Sequence, residues 1–497
     1  MTEQLLSRRL TAEGRNGDLT TAKGAALYVG ALLGPGLLLL PGLAAAEAGP
    51  ASIVAWLALL GLSGMFAAVF SALGQRYPQA GGIMGYVAAG LGRRASRIAG
   101  WSFLGGVVGG APIVCLIGAS YVAGFTGGGR AIRAAIAALL VLAVLALAAT
   151  GLRASAKAQV VLVVLLIAVV TVAVGGSGRL AQIGNWRPFA PHGWLSVGHA
   201  ATTLMLSFVG WEAVAPLTTR FAKPSRQLPR VIAIALAATT ALYLGLAIAT
   251  ISVLGRGAAT AVPLADLLRV AIGPAGTVAA AAAAVVLTLG AVNAYVNGAA
   301  TMAWQLIGPA RQLAAERQGQ RETRPGETRP SGTQPGGTRP GGTRRRGPEL
   351  LFLAAIAASG LLLITLYGLG IVSIVSLVAL PTALFLAVYL ASMLAAARVL
   401  SGRVRGTAIT AVLAVLVMLP YCGWSLTAPA AIAMVLSWPW ARIKRPKADQ
   451  AKRPPSDGRR PEDPSRAGHA AIPLARSAGS GYINSPVAAC RAESFVS

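Results

Sequence analysis

Long apolar runs separated by short polar connections pattern most of this chain. A helix rises about 1.5 Å per residue, so about 20 apolar residues cross the hydrocarbon of a bilayer. Runs of that kind lie near 22–46, 51–73, 98–126, 131–150, 158–175 and 197–217, and again near 231–254, 273–307, 350–367, 371–397, 407–423 and 426–441. The pattern predicts an all-α integral membrane protein of about 12 transmembrane helices. It also divides the chain into an N-terminal segment 1–21, helices one to eight over 22–308, a polar linker 309–349, helices nine to twelve over 350–441, and a tail 442–497.

Composition agrees. Of 497 residues 55% are hydrophobic and 12% charged, with mean hydropathy +0.66, whereas soluble domains carry roughly 25% charged residues. The net charge of +28 would suggest nucleic acid in a soluble protein, but all 43 Lys and Arg fall outside the apolar cores. Four connections that follow even-numbered runs carry 13 basic residues, including Arg76, Arg93, Arg94, Arg97, Lys223 and Arg403. The six connections that follow odd-numbered runs carry six: Arg130, Arg133, Arg179, Arg187, Arg256 and Arg269. By the positive-inside rule both termini are expected on the cytoplasmic side of a plasma membrane, and no specific nucleic-acid partner is expected. Residues 1–21 are polar and the first run is too long for a signal peptide's apolar stretch. Cys115, Cys422 and Cys490 lie far apart and form neither a disulfide framework nor a zinc spacing. Residues 309–349 repeat a Thr-Arg-Pro-Gly-like unit, and both they and the tail are too polar and too rich in Pro and Gly to bury a core, so disorder is expected. Their arginines suit either plain solvation or anionic lipid headgroups.

Chemistry concentrates where the helices are interrupted. The first run contains Gly30-Ala31-Leu32-Leu33-Gly34-Pro35-Gly36 and then Pro41-Gly42. Proline removes backbone donors and glycine removes helix preference, so a continuous helix is not expected there. The sixth run has a matching interruption, Leu206-Ser207-Phe208-Val209-Gly210-Trp211-Glu212, ending at Pro216. Unpaired peptide groups in hydrocarbon cost several kcal/mol each, so such breaks persist where they line a protected cavity. Either break alone reads equally well as a kink or a close-packing glycine. Together they are what an inverted-repeat transporter with a midplane site would show. Glu212 is the one acid of 15 inside an apolar run, Glu47 lying at the margin of the first. A carboxylate at that depth must be paired, hydrated or protonated, which makes Glu212 the proton-coupling candidate, with a structural carboxylate as the alternative. Asn293 and Asn297, four apart on one face of the eighth run, read either as pathway-lining or as interhelical hydrogen-bonding groups.

These residues resemble a known family. Gly30-x-x-x-Gly34-Pro35-Gly36 with Pro41-Gly42, Arg76-Tyr77-Pro78-Gln79-Ala80-Gly81-Gly82, Tyr86, Gly90 and Gly100-Trp101 look like the opening of amino acid–polyamine–organocation superfamily permeases. Phe208-Val209-Gly210-Trp211-Glu212-Ala213 and Lys223-Pro224-Ser225-Arg226-Gln227-Leu228-Pro229-Arg230 extend the likeness, which is strongest to bacterial methionine and branched-chain amino-acid exporters. It covers about 20–441 apart from the Arg-rich insert.

The resemblance implies a five-plus-five inverted repeat with helices one and six broken, plus two additional helices. It also implies a substrate carboxylate held at Gly34 and Gly36 and an ammonium held by carbonyls of Leu32, Leu206 and Val209, beside Gly210. Physically, a half-helix N-terminus suits an anion and unwound carbonyls suit a cation. Relatives usually have Ser or Thr where this chain has Pro35, and Leu166 stands where some carry a coupling lysine. The side chains of Leu206, Phe208, Val209 and Trp211 favour a neutral hydrophobic substrate such as Leu, Ile, Val or Met.

Other classes fit less well. No lysine precedes Ser or Thr, so there is no P-loop for an ATP-driven pump. His192, His199 and His469 build no metal site within the membrane, so neither an enzyme nor a cofactor is expected. A channel shares the helix count, and a receptor or scaffold would use the polar segments. A secondary active amino-acid transporter, exporting by exchange for H+, is the expected function, with an APC-type permease for another amino acid or an amine as the alternative.

Overall fold

The computed structural model describes residues 19–34, 36–77, 82–150, 156–211, 221–322 and 346–437, and among these the regular structure is entirely helical. The helices are α1 (Thr21–Leu32), α2 (Gly36–Ala48), α3 (Ser52–Arg76), α4 (Ile83–Thr126), α5 (Arg130–Ala149), α6 (Ala156–Ser177) and α7 (Leu195–Leu204). They continue as α8 (Pro224–Leu254), α9 (Pro263–Ile272), α10 (Pro274–Glu322), α11 (Arg346–Gly368), α12 (Ile374–Val399), α13 (Gly402–Met418) and α14 (Thr427–Ser437). Among the described residues nine helical stretches are long and apolar enough to cross a membrane by length and composition. Two of them, Gly36–Arg76 and Gly402–Ser437, run adjacent expected spans together, and the short apolar segment Leu195–Phe208 belongs to the sixth. Over their described residues the twelve apolar runs therefore coincide with helix, the first interrupted after Leu32 and the sixth leaving α-helical geometry after Leu204.

Local chemistry sets several ends. Thr20 caps α1, its side-chain oxygen accepting from the Lys23 amide at 3.3 Å. The long helix α4 turns at Gly92, whose φ of 84° no other residue type adopts readily. Pro41 does not end α2, which continues through it to Ala48. Its partner Gly42 serves packing, since a Cβ there would collide with the Thr260 carbonyl. The backbone of α10 stays helical to Glu322, into the Arg-rich segment, where Ala, Gln, Arg and Glu are good helix formers. Residues 323–345, and the tail from 438, lie outside the described residues.

The core is built around α4, which packs against α12, α10 and α5, while α8 packs against α1 and α3. Small residues let α4 approach its neighbours closely, as expected where apolar lipid provides no hydrophobic drive between helices. A Cβ on Gly106 would stand 3.0 Å from the Phe385 ring, and one on Gly118 2.6 Å from Thr288 Oγ1. The half-helices α2 and α7 pack directly on each other, bringing the first and sixth spans together at their interruptions.

Candidate functional site

At the first break α1 stops at Leu32, and Leu33 leaves helical geometry at φ −79°, ψ 64° while its amide still reaches the Val29 carbonyl at 2.7 Å. The helix restarts at Gly36, with the Leu37 amide donating to Gly34 at 3.1 Å. The last carbonyls of α1 and the first amides of α2 thus lack partners within their own helices and meet across two or three residues. At the second break α7 ends at Leu204 and tightens to 3-10 geometry over Met205–Phe208. Val209 is extended (φ −73°, ψ 133°) and Gly210 takes φ 142°. Glu212 and Pro35 lie outside the described residues.

The two breaks touch. A Cβ on Gly210 would stand 2.5 Å from the Ala31 carbonyl oxygen, and one on Gly36 3.1 Å from Ser207 Oγ. Tyrosines from three helices then tie the freed peptide groups. Tyr243 of α8 is fully buried, its hydroxyl 3.0 Å from the Leu32 carbonyl and 2.8 Å from that of Ser207. Tyr389 of α12, also fully buried, accepts from the amides of Gly210 (3.1 Å) and Trp211 (3.2 Å). Tyr295 of α10 is half-buried, its hydroxyl 3.4 Å from the Ala31 carbonyl and 3.3 Å from that of Val209. The Trp211 indole donates to Ser63 Oγ at 2.7 Å. Trp56 packs on Phe208 and Tyr243, and Phe66 and Phe70 pack on Tyr389, so aromatic rings exclude water around the fastenings. Among the described residues the buried hydroxyl of Ser207, beside Gly36, has no partner within hydrogen-bond geometry.

Between the breaks lies a cavity of about 70 Å³ with an almost wholly apolar wall. Leu32, Gly34, Gly36, Leu206 and Val209 all line it. The rest of the wall comes from the small-residue run Gly106–Val114 of α4, from Ala291, Val292 and Tyr295 of α10, and from Phe385 of α12. Gly210 contacts α1 behind the wall. Asn293 and Asn297 pair with each other: the Asn297 amide donates to the Asn293 carbonyl at 2.8 Å and to its side-chain oxygen at 2.9 Å. Neither asparagine lies on the cavity wall; the opposite face of α10 does. Glu47, near the end of α2, accepts from Thr203 Oγ1 of α7 at 2.8 Å, and its carbonyl meets His192 Nδ1 at 2.9 Å, which joins the two half-helices away from the cavity.

Sequence reasoning missed Tyr243, Tyr389, Tyr295 and the α4 wall. A signal exists for each: a phenol in the middle of an apolar run needs a partner when buried, and Gly105-Gly106-Val107-Val108-Gly109-Gly110 strips side chains from one stretch of the third span.

Comparison with known proteins gives a consistent set of relatives. The family model described as amino acid permease matches residues 19–308. An uncharacterized amino acid permease of Bacillus subtilis (strain 168), YecA, is 29% identical over 419 residues, covering 84% of this chain and 93% of its own. The L-methionine/branched-chain amino acid exporter YjeH of Escherichia coli (strain K12) is 28% identical over 414 residues, 83% of this chain and 93% of its own. The branched-chain amino acid permease BcaP of Bacillus subtilis (strain 168) is 24% identical over 236 residues, 44% of this chain and 50% of its own.

Proposed function

From the premise that the chain belongs to the amino acid permease family, as a multi-pass membrane protein of amino-acid transport, we propose that it is a secondary active transporter of neutral hydrophobic amino acids. The observation that carries this reading is the apolar cavity enclosed by the two helix breaks. The substrate carboxylate meets the amides that open α2, at Gly34 and Gly36, and the ammonium meets carbonyls released at both breaks. A half-helix N-terminus and a half-helix C-terminus carry opposite partial charges, so one zwitterion satisfies both.

The wall then selects the side chain. Burying a Val, Leu, Ile or Met side chain contributes about 1.5–3 kcal/mol, whereas an unpaired charge against that wall would cost far more. The names of the E. coli exporter and the B. subtilis branched-chain permease support Leu, Ile, Val and Met.

Export in exchange for H+, with Glu212 as the proton-coupling group, completes the reading; Glu212 is the one acid in the interior of an apolar run. Asn293 and Asn297 act in support of α10 rather than on the substrate path. The protein sits in the plasma membrane with both termini cytoplasmic, and 309–349 and 442–497 are polar cytoplasmic segments. Labelled Leu and Met flux in proteoliposomes, at varied internal and external pH, tests this. The expected result is saturable uptake whose pH dependence disappears in Glu212→Gln. Non-saturable flux would favour a channel, no flux a receptor or scaffold, and an unaltered pH dependence in the variant would remove Glu212 from the coupling.

A further inference from the structure

Three hydroxyls fasten the breaks, but they do not do so alike. Tyr243 and Tyr389 are fully buried and stand 2.8–3.2 Å from their principal backbone partners, off the cavity wall. Tyr295 lies on the wall, is half-buried, and reaches the carbonyls of Ala31 and Val209 only at 3.4 and 3.3 Å. An ordinary O–H···O bond is about 2.7–2.8 Å long, so both of these contacts are long, and the single proton of a phenol can serve only one of the two carbonyls at a time.

Those two acceptors come from different breaks. The Ala31 carbonyl belongs to the last turn of α1, and the Val209 carbonyl to the extended residue that follows α7. They converge on the hydroxyl of Tyr295, a residue of the cavity wall, although Ala31 itself does not line the cavity. A donor with several protons and a positive charge would serve both together, and a primary ammonium is that donor: it has three N–H groups and suits the negative end of α1.

We infer that Tyr295 is a specificity-determining residue of this site, its hydroxyl standing in for the substrate ammonium between the Ala31 and Val209 carbonyls while the cavity is empty. This rests on the substrate class proposed above. An entering α-amino group displaces the hydroxyl and takes both carbonyls with charge-assisted bonds, which a neutral donor cannot match. A ligand without the amino group leaves Tyr295 in place and gains nothing there. The phenol thereby spares the carbonyls from being orphaned in the empty protein, and in doing so raises the threshold that a ligand must overcome. Tyr295 is thus a competitor of the amine, not a holder of it, and this fixes the sign of the mutational effect.

The test uses the full-length protein in proteoliposomes and compares Tyr295→Phe with wild type. Two quantities are read: the KM for leucine, and the inhibition constant of 4-methylpentanoate, which is leucine without its amino group. The expected result is a leucine KM lowered about threefold to tenfold, the worth of one ordinary hydrogen bond, with inhibition by 4-methylpentanoate unchanged. A raised leucine KM would mean that the hydroxyl holds substrate, and an equal change for both ligands would mean a structural effect of the ring; either overturns the inference.

Wild-type protein gives a second reading that does not depend on the variant folding. N,N-dimethylleucine keeps one N–H and can serve only one carbonyl, so it should inhibit leucine uptake at least about tenfold more weakly than isoleucine does. Equal inhibition would overturn the inference. The two layers fail differently: wild type without saturable leucine uptake defeats the proposed substrate and this inference with it, whereas normal uptake with a higher KM in Tyr295→Phe defeats this inference alone.

Discussion

At the first break Gly34 faces space, and at the second Gly210 faces backbone. Beyond its chain neighbours, a Cβ on Gly34 would find no atom of the described residues within 4 Å, and Gly34 and Gly36 both line the cavity. A Cβ on Gly210 would stand 2.5 Å from the Ala31 carbonyl oxygen and 3.3 Å from Leu32 Cα, and Gly210 itself takes φ 142°. The amides of Gly210 and Trp211 are held by Tyr389, whereas at the start of α2 the Leu37 amide reaches the Gly34 carbonyl at 3.1 Å and Gly34 and Gly36 line the cavity. In sequence the two interruptions look alike, each a glycine beside apolar residues in a long run. In space the first opens on the cavity, which the proposed function makes a mouth for substrate, and the second packs against the first as a clamp. Bilayer physics requires freed peptide groups to be satisfied; the clamp satisfies its own from protein, and in the proposed function a substrate serves those at the mouth.

The contrast is broken most directly at the clamp. Gly210→Ala adds a methyl against a carbonyl that cannot swing away and forces an L side chain into a backbone region it rarely adopts. Strain and overpacking together predict a loss of about 2–6 kcal/mol. The expected outcome is a sharply lower melting temperature in detergent and no leucine uptake; a variant that melts with wild type would show that Gly210 is not a clamp. Tyr389→Phe comes next. It keeps the ring against Phe66 and Phe70 but withdraws the shared acceptor of the Gly210 and Trp211 amides, at a cost of about 1–3 kcal/mol. A stability loss with an unchanged leucine KM is expected, and a KM change without destabilisation would move Tyr389 from the clamp to the substrate.

How far the sequence revealed this depended on whether a feature is local. Both breaks were legible because glycine and proline act on their own backbone. Five flagged residues, Leu32, Gly34, Gly36, Leu206 and Val209, line one cavity for the same reason. Pro41-Gly42 looked like part of the first break, yet α2 runs through it, because packing of Gly42 against the Thr260 backbone holds a helix that local propensity alone would interrupt. The tyrosines were not legible as fasteners, since their partners lie 36 to 264 residues away in sequence. Polarity left two readings of the eighth span open, pathway lining or hydrogen bonding; in space Ala291, Val292 and Tyr295 turn to the cavity, while Asn293 and Asn297 bond each other. Glu212 falls where the structure describes no residue, so its role stays with the proposal.

Gly34→Ala probes the mouth with the same methyl that breaks the clamp. Among the described residues nothing but the chain neighbours stands within 4 Å of the added carbon, and Gly34 does not occupy the left-handed region, so stability should change by less than about 1 kcal/mol. The methyl instead narrows the cavity that Gly34 lines, and the expected outcome is a several-fold higher leucine KM at an unchanged melting temperature. Opposite responses to one chemical change, a folding defect at Gly210 and a binding defect at Gly34, would separate clamp from mouth.

The smallest effect is expected on the far face of α10. Asn297→Ala removes a side chain that bonds Asn293 within the same helix and does not reach the cavity wall. Polar contacts between membrane helix side chains average about 0.6 kcal/mol, so melting should fall slightly and leucine KM should hold. This variant sharpens the comparison from outside, because it alters a polar group at the level of the breaks without touching either one. A large KM change would put the asparagine face on the substrate path, and the cavity between Gly34 and Val209 would then describe only part of the route.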